Sequence, residues 1–179
     1  VSEEFQKRNT NKSITEALAA AEDIQNLAVK SNKKLVVYLS MAFGNPYGDN
    51  YHPDIVAELT DKLDKLDVGI VALSDTIGVS NPINIKPLFS TLIKQYPTIE
   101  FGAHFHTTVD TWEEKVVTAY KNGCKRFDTA LKGYGGCPMA KDDLVGNMPT
   151  EKLISYFKED IGLNLDELAK SLEVTRSIF

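Results

Sequence analysis

The sequence predicts an α/β fold built on a parallel sheet, and three observations carry that prediction. Apolar runs of strand length alternate with amphipathic helical stretches along the chain, which is the pattern of βα crossovers. Polar side chains able to do chemistry stand at the carboxyl ends of the strand segments: Ser40, Asp75, His104 with His106, and Asp128 with Thr129. No Gly-rich fingerprint follows the first strand, which weakens the dinucleotide-binding form of an open doubly wound sheet. Polar strand ends gathered on one face favour a (β/α)8 barrel, although only about four βα units are present where a barrel has eight. An arc of a barrel has two edges with unpaired backbone groups.

Each element has its own signal. Ser13-Ile14-Thr15-Glu16 reads as a capping box, followed by Ile14, Ala17, Leu18, Ala21, Ile24 and Ala28 at helical spacing. The run from Lys34 to Ser40 is apolar and rich in β-branched residues, as a buried strand requires. Asn45-Pro46-Tyr47-Gly48-Asp49-Asn50 is a turn. Pro53 opens a helix whose stripe is Ile55, Val56, Leu59, Leu63 and Leu66. Strand Val68–Ser74 follows, then a helix through Ile85, Leu88, Phe89, Leu92, Ile93 and Tyr96, then strand Glu100–His106. Asp110 with Glu113 is expected to cap the next helix, which runs through Trp112, Val116 and Tyr120 and stops at Asn122-Gly123. A shorter fourth strand is predicted over Arg126–Leu131, and helices over Thr150–Ile161 and Leu165–Ser177.

Composition narrows the function. The 179 residues carry 20 Lys+Arg against 25 Asp+Glu, a formal net charge of −5. That balance argues against nucleic acid, which needs clustered basic residues. No apolar run reaches the roughly 18 residues of a membrane span. Val1-Ser2-Glu3-Glu4 has none of the regions of a signal peptide, and two cysteines, Cys124 and Cys137, make no disulfide framework. A single domain over 1–179, cytoplasmic, with no nucleic-acid or membrane partner, is expected.

His104 and His106 lie two apart on a strand, so both imidazoles point to one face and could form half of a divalent-metal site. Two hydrogen-bonded histidines at a strand end is an equal reading of that spacing. Gly133-Tyr134-Gly135-Gly136-Cys137-Pro138 places three glycines in four positions, where the backbone can take left-handed conformations and approach a ligand closely. Cys137 follows on the same loop. Asn147 could offer a carbonyl oxygen to a metal, and Asp75 could orient a ligand or cap a helix. His52, Asp142-Asp143 and the lysines between Lys30 and Lys34 read as solvated, and Trp112 as core.

Three segments resemble the 3-hydroxy-3-methylglutaryl-CoA lyases, a branch of the metal-dependent TIM-barrel lyases and Claisen-type synthases. They are Ser74-Asp75-Thr76-Ile77-Gly78, Gly102-Ala103-His104-Phe105-His106, and Gly133 to Lys141 continuing through Gly146-Asn147. The Ala42–Tyr47 loop belongs to the same likeness. The resemblance implies His104, His106 and Asn147 as ligands of Mg²⁺ or Mn²⁺, Cys137 as the catalytic thiol, Asp75 as an active-site carboxylate, and Gly135 and Gly136 as part of the binding loop. It implies an acyl-CoA substrate, split into acetyl-CoA and acetoacetate.

The family carries an Asp soon after its HxH pair, where Thr107 and Thr108 stand here. Its first-strand Arg and Asp and its second-strand Glu have no counterpart in this chain. Val1-Ser2 resembles the end of the family's fourth strand, so the chain reads as the C-terminal half of the barrel, roughly strands 5–8 with their helices. Its open edges would pair with an N-terminal half or with another copy in a homo-oligomer. Two other readings stand beside the lyase. One is a synthase condensing acetyl-CoA with a 2-oxo acid, against which the Gly-Gly-Cys-Pro loop speaks. The other is an inactive fragment with partial metal or acyl-CoA affinity.

Overall fold

A computed structural model describes residues 1–136, 145–157 and 162–178. Four strands pair in parallel in the order β1 (Val36–Leu39), β2 (Ile70–Asp75), β3 (Glu100–Thr107), β4 (Arg126–Phe127). Helices α3 (Pro53–Asp64), α4 (Pro82–Gln95) and α5 (Trp112–Lys121) make the crossovers between them. Two helices precede the sheet, α1 (Glu3–Thr10) and α2 (Ile14–Lys30). After β4 come a 3₁₀ turn (Leu131–Gly133), the two-residue β5 (Gly146–Asn147), α6 (Thr150–Phe157) and α7 (Leu165–Ile178).

The local signals hold at most boundaries. Ser13 and Glu16 close a reciprocal capping box at α2, Pro53 sits in the first turn of α3 with exposed His52 as its cap, and Asn122 with Gly123 ends α5. Asp110 does not cap α5. Thr111 takes the N-cap position without a side-chain bond to the helix, because its hydroxyl accepts the Thr108 N–H instead. The predicted fourth strand shortens to Arg126–Phe127 for a topological reason. Asp128 still donates its N–H to Ala103, but beyond that point β5 runs antiparallel beside β3 and takes the ladder positions at His106 and Thr107.

Side-chain parity decides what faces where. Register pairs Tyr38 with Ala72, Ala72 with Gly102 and Ser74 with His104, so these even positions share one face. The odd positions, Leu39, Val71, Leu73, Phe101, Ala103 and Phe105, face the helices and join Val56, Leu63, Ile85, Phe89 and Ala119 in one core. Phe105 sits at its centre, with ring centroids 5.8 Å from Phe43 and 6.5 Å from Phe89. Burying a side chain of this size is worth about 1.5–3 kcal/mol, so the helix face holds the sheet together. The even face is left for a site.

Candidate metal and active site

The even face opens into a cavity of about 320 Å³ at the carboxyl ends of the strands. Tyr38 and Ser40 line it from β1 and the residue after it, Ser74 and Thr76 from the end of β2, and His104 with His106 from β3. Gly136 and Asn147 close it from beyond β4, and Phe5 with Asn9 from α1. Both histidines therefore point into one space, with ring centroids 5.3 Å apart and planes nearly perpendicular.

The outer nitrogen of each imidazole is occupied. His106 donates its Nδ1–H to the backbone carbonyl of Asp75 at 2.8 Å. His104 donates its Nδ1–H to the Asp128 carboxylate at 3.3 Å. With Nδ1 protonated, the lone pair of each ring lies on Nε2, the tautomer that metal-binding histidines use. Burial is the largest influence on His106 and pushes its pKa below the ordinary 6.5, which favours the neutral ring a cation needs. The bond from His104, and then that from Tyr38, holds the Asp128 carboxyl below its ordinary 3.8.

Asn147 reaches the same place through β5, whose register sets it directly opposite His106. Its amide nitrogen donates to the Tyr134 carbonyl at 2.9 Å, and its backbone N–H to that of Gly135 at 3.2 Å. The amide oxygen takes no part in either bond. Gly133 makes this packing possible: at φ +69°, a Cβ there would lie 2.6 Å from the Asn147 carbonyl oxygen. Gly135 has φ +85°, and a Cβ on it would press on the Asn147 amide. The close approach expected of these glycines is thus toward β5 and Asn147, and Gly136 alone of Gly135 and Gly136 lines the cavity. Cys137, the next residue, lies outside the described residues, as do Asp142 and Asp143.

The carboxylate of Asp75 is on the other side of the sheet. Asp75 is an odd position between two cavity residues, Ser74 and Thr76, and is 1% exposed. Its Oδ1 accepts the Ser80 N–H, and its Oδ2 accepts from the Ser80 hydroxyl and the Lys115 ammonium. Its main-chain carbonyl, not its carboxylate, holds the His106 ring. Cys124 is buried beside Arg126, where burial pushes its thiol up to about 12, so it is a packing residue.

Whether these groups suit a divalent cation can be judged from the donors. Among the described residues no three His, Cys, Asp or Glu side chains converge, and beside the two imidazoles the cavity is lined by neutral donors, the Asn147 amide and the side chains of Ser40, Ser74 and Thr76. Ser74 Oγ is buried on the cavity wall, beside His104 in register, with no hydrogen-bond partner among the described residues. An unsatisfied hydroxyl there implies a missing polar partner. Two locked imidazoles with an amide and hydroxyls around them fit a hydrated, oxygen-preferring divalent ion.

The fold and this cavity define an arc of a TIM barrel whose working groups sit at the carboxyl ends of parallel strands. The chain belongs to the HMGL-like family, whose model matches residues 1–174. It is 33% identical over 178 residues to the hydroxymethylglutaryl-CoA lyase of Bacillus subtilis strain 168, covering 99% of this chain and 59% of that protein. It is 34% identical over 173 residues to the human mitochondrial hydroxymethylglutaryl-CoA lyase, covering 96% of this chain and 53% of the relative. The crystal structure of the B. subtilis HMG-CoA lyase superimposes with a TM-score of 0.90 at 30% identity, over 98% of this chain and 60% of that one. An HMG-CoA lyase from Acinetobacter baumannii, solved with coenzyme A and 3-methylmalate, gives 0.84 at 27% identity, over 98% and 58%. The chain thus spans between half and three-fifths of these proteins. No helix among the described residues is long and apolar enough to cross a membrane.

Proposed function

We propose that this chain carries the metal-binding and proton-donating half of a carbon–carbon lyase acting on 3-hydroxy-3-methylglutaryl-CoA. One observation carries the reading: two histidines with Nδ1 tied back share a cavity with Asn147 and with Gly136, the residue before Cys137. His104 and His106, through Nε2, and Asn147, through its amide oxygen, would hold Mg²⁺ or Mn²⁺. When bound, such a cation supplies Lewis acidity toward the substrate's tertiary hydroxyl and neighbouring carboxylate.

The tertiary hydroxyl gives its proton to a general base, which returns it to the Cys137 thiolate at the end of the cycle, and its oxygen becomes the ketone of acetoacetate as the bond between C2 and C3 breaks. The electron pair of that bond passes to C2, giving the enolate of acetyl-CoA. The Cys137 thiol delivers the proton that turns C2 into a methyl group. Gly136, the residue before Cys137, lines the cavity that the two histidines share. Asp75 acts through its main chain, as the carbonyl acceptor that holds the His106 ring, while its carboxylate lies behind the sheet.

The test is release of acetoacetate from 3-hydroxy-3-methylglutaryl-CoA with Mg²⁺ or Mn²⁺, by this chain alone and mixed with the segment of the B. subtilis lyase that it does not cover. Cleavage in either preparation, lost in Cys137→Ala and His104→Ala, supports the reading. Condensation of acetyl-CoA with a 2-oxo acid and no cleavage would assign the chain to the synthases instead.

A further inference from the structure

A lysine stands in the buried stripe of α5. Lys115 is 2% exposed and shares its face with Val116 and Ala119. Its ammonium has three hydrogens and meets three acceptors: Asp75 Oδ2 at 2.8 Å, the His106 carbonyl at 2.9 Å and the Gly78 carbonyl at 3.1 Å. One cation thus ties together the end of β2, the turn after it and the end of β3. The same two residues, Asp75 and His106, are joined again on the cavity side by the imidazole Nδ1–H.

We propose that Lys115 is a positioning residue for His106, so that the affinity of the cation site depends on a buried ammonium lying behind the sheet. The inference rests on the reading of His106 as a ligand. Lys115 holds His106 by its main-chain oxygen, while Asp75 holds the ring, and Lys115 in turn holds Asp75. The ring is therefore referenced to one rigid cluster at both ends. The carboxylate also cancels the ammonium's charge, so that a divalent ion near His106 does not face an uncompensated positive neighbour. Ser80, donating to Asp75 through both its N–H and its hydroxyl, fixes the carboxylate from the remaining side.

The experiment titrates the metal-free chain with Mn²⁺, following the free ion by electron paramagnetic resonance below each variant's melting temperature. Lys115→Met removes the three donors. Asp75→Asn with Lys115→Met removes them without leaving a buried charge unpaired, and carries the test if the single variant does not fold. Both should weaken Mn²⁺ binding about tenfold or more. That loss should add to His104→Ala but vanish in a His106→Ala background. Nitrogen-15 histidine spectra give a second readout: the variants should lose the fixed Nδ1–H tautomer at His106 and keep that of His104. Unchanged Mn²⁺ affinity with a fixed His106 tautomer, or a loss equal in both histidine backgrounds, overturns the proposal. If His104→Ala and His106→Ala leave Mn²⁺ binding unaltered, the cation reading itself has failed and this inference falls with it.

Discussion

His104 and His106 stand on the same strand and the same face, yet the protein supports them in opposite ways. His106 is 5% exposed, and its ring is tied to a main-chain carbonyl backed by a charge pair sealed from water. The His104 side chain is 31% exposed and is tied to a side-chain carboxylate, Asp128, which the Tyr38 hydroxyl also contacts at 2.7 Å. A main-chain acceptor moves only when the strand moves, whereas a carboxylate can turn about two side-chain torsions. The dry half of the site therefore fixes a direction, and the wet half leaves the His104 ring room to adjust. The difference comes from parity: odd positions carry the supports of His106 into the helix layer, while even positions keep those of His104 inside the barrel.

The largest test of this contrast is on the dry side. Lys115→Met leaves the Asp75 carboxylate buried with only Ser80 for support, and removing one partner of a buried pair costs about 3–5 kcal/mol. Denaturant unfolding should show a loss of that order, and the double variant with Asp75→Asn should recover most of it. A single variant as stable as the parent would mean that the pair is not what holds the two strand ends. On the wet side, Asp128→Asn should leave stability nearly unchanged and lower Mn²⁺ affinity about tenfold, since outer partners of ligating histidines carry effects of that size. An equal loss of stability in both variants would erase the distinction.

Acid sharpens the comparison further. Burial lowers the pKa of His106 in the folded protein, while in the unfolded chain it titrates near 6.5. As pH falls through 6.5 the unfolded state takes up a proton that the folded state refuses, so stability drops below that pH and is fully present above it. In chelator-treated protein, the Tm of the parent should fall more between pH 7.5 and 5.5 than that of His106→Asn. His52 and His104 are common to both proteins, so the difference isolates His106. Matching slopes would place His106 in a wetter setting than the structure does.

Much of this was legible in the residues, and the gaps have physical causes. Alternation of apolar strands with helical stripes shows a parallel sheet, and the two-residue spacing puts both imidazoles on one face. The same rule applied one position further would have turned the Asp75 carboxylate away from the site, because Ser74 and Thr76 already claim the cavity side. Lys115 carried a signal too, a charge among Trp112, Val116 and Ala119 at helical spacing, but its three acceptors lie 9, 37 and 40 residues away. α1 has a short, polar sequence and is fixed by the contact of its Ser2 cap with Asp49. β5 is two residues long, and its pairing depends on glycines that let Gly133 and Asn147 nearly touch. Such partners are tertiary, and no local period announces them.

The smallest effect expected is at Tyr38. Its hydroxyl spans the arc from β1 to Asp128 beside β4, and its ring stands edge-on to His104 at 5.6 Å. Tyr38→Phe keeps the ring and removes only the hydrogen bond, a change of about 0.5–1.5 kcal/mol at most in a partly solvated setting. Asp128 keeps its bond from His104, the larger of the two influences on it, so Mn²⁺ affinity should fall by less than about threefold. The more telling readout is the Asp128 carboxyl itself. Losing one donor to the carboxylate should raise its pKa toward 3.8 without reaching it. Carbon-13 titration of the carboxyl measures that directly. A shift all the way to 3.8 would show that the His104 bond only offsets the burial of the carboxyl, and that the Tyr38 bond is what tips it below the ordinary value.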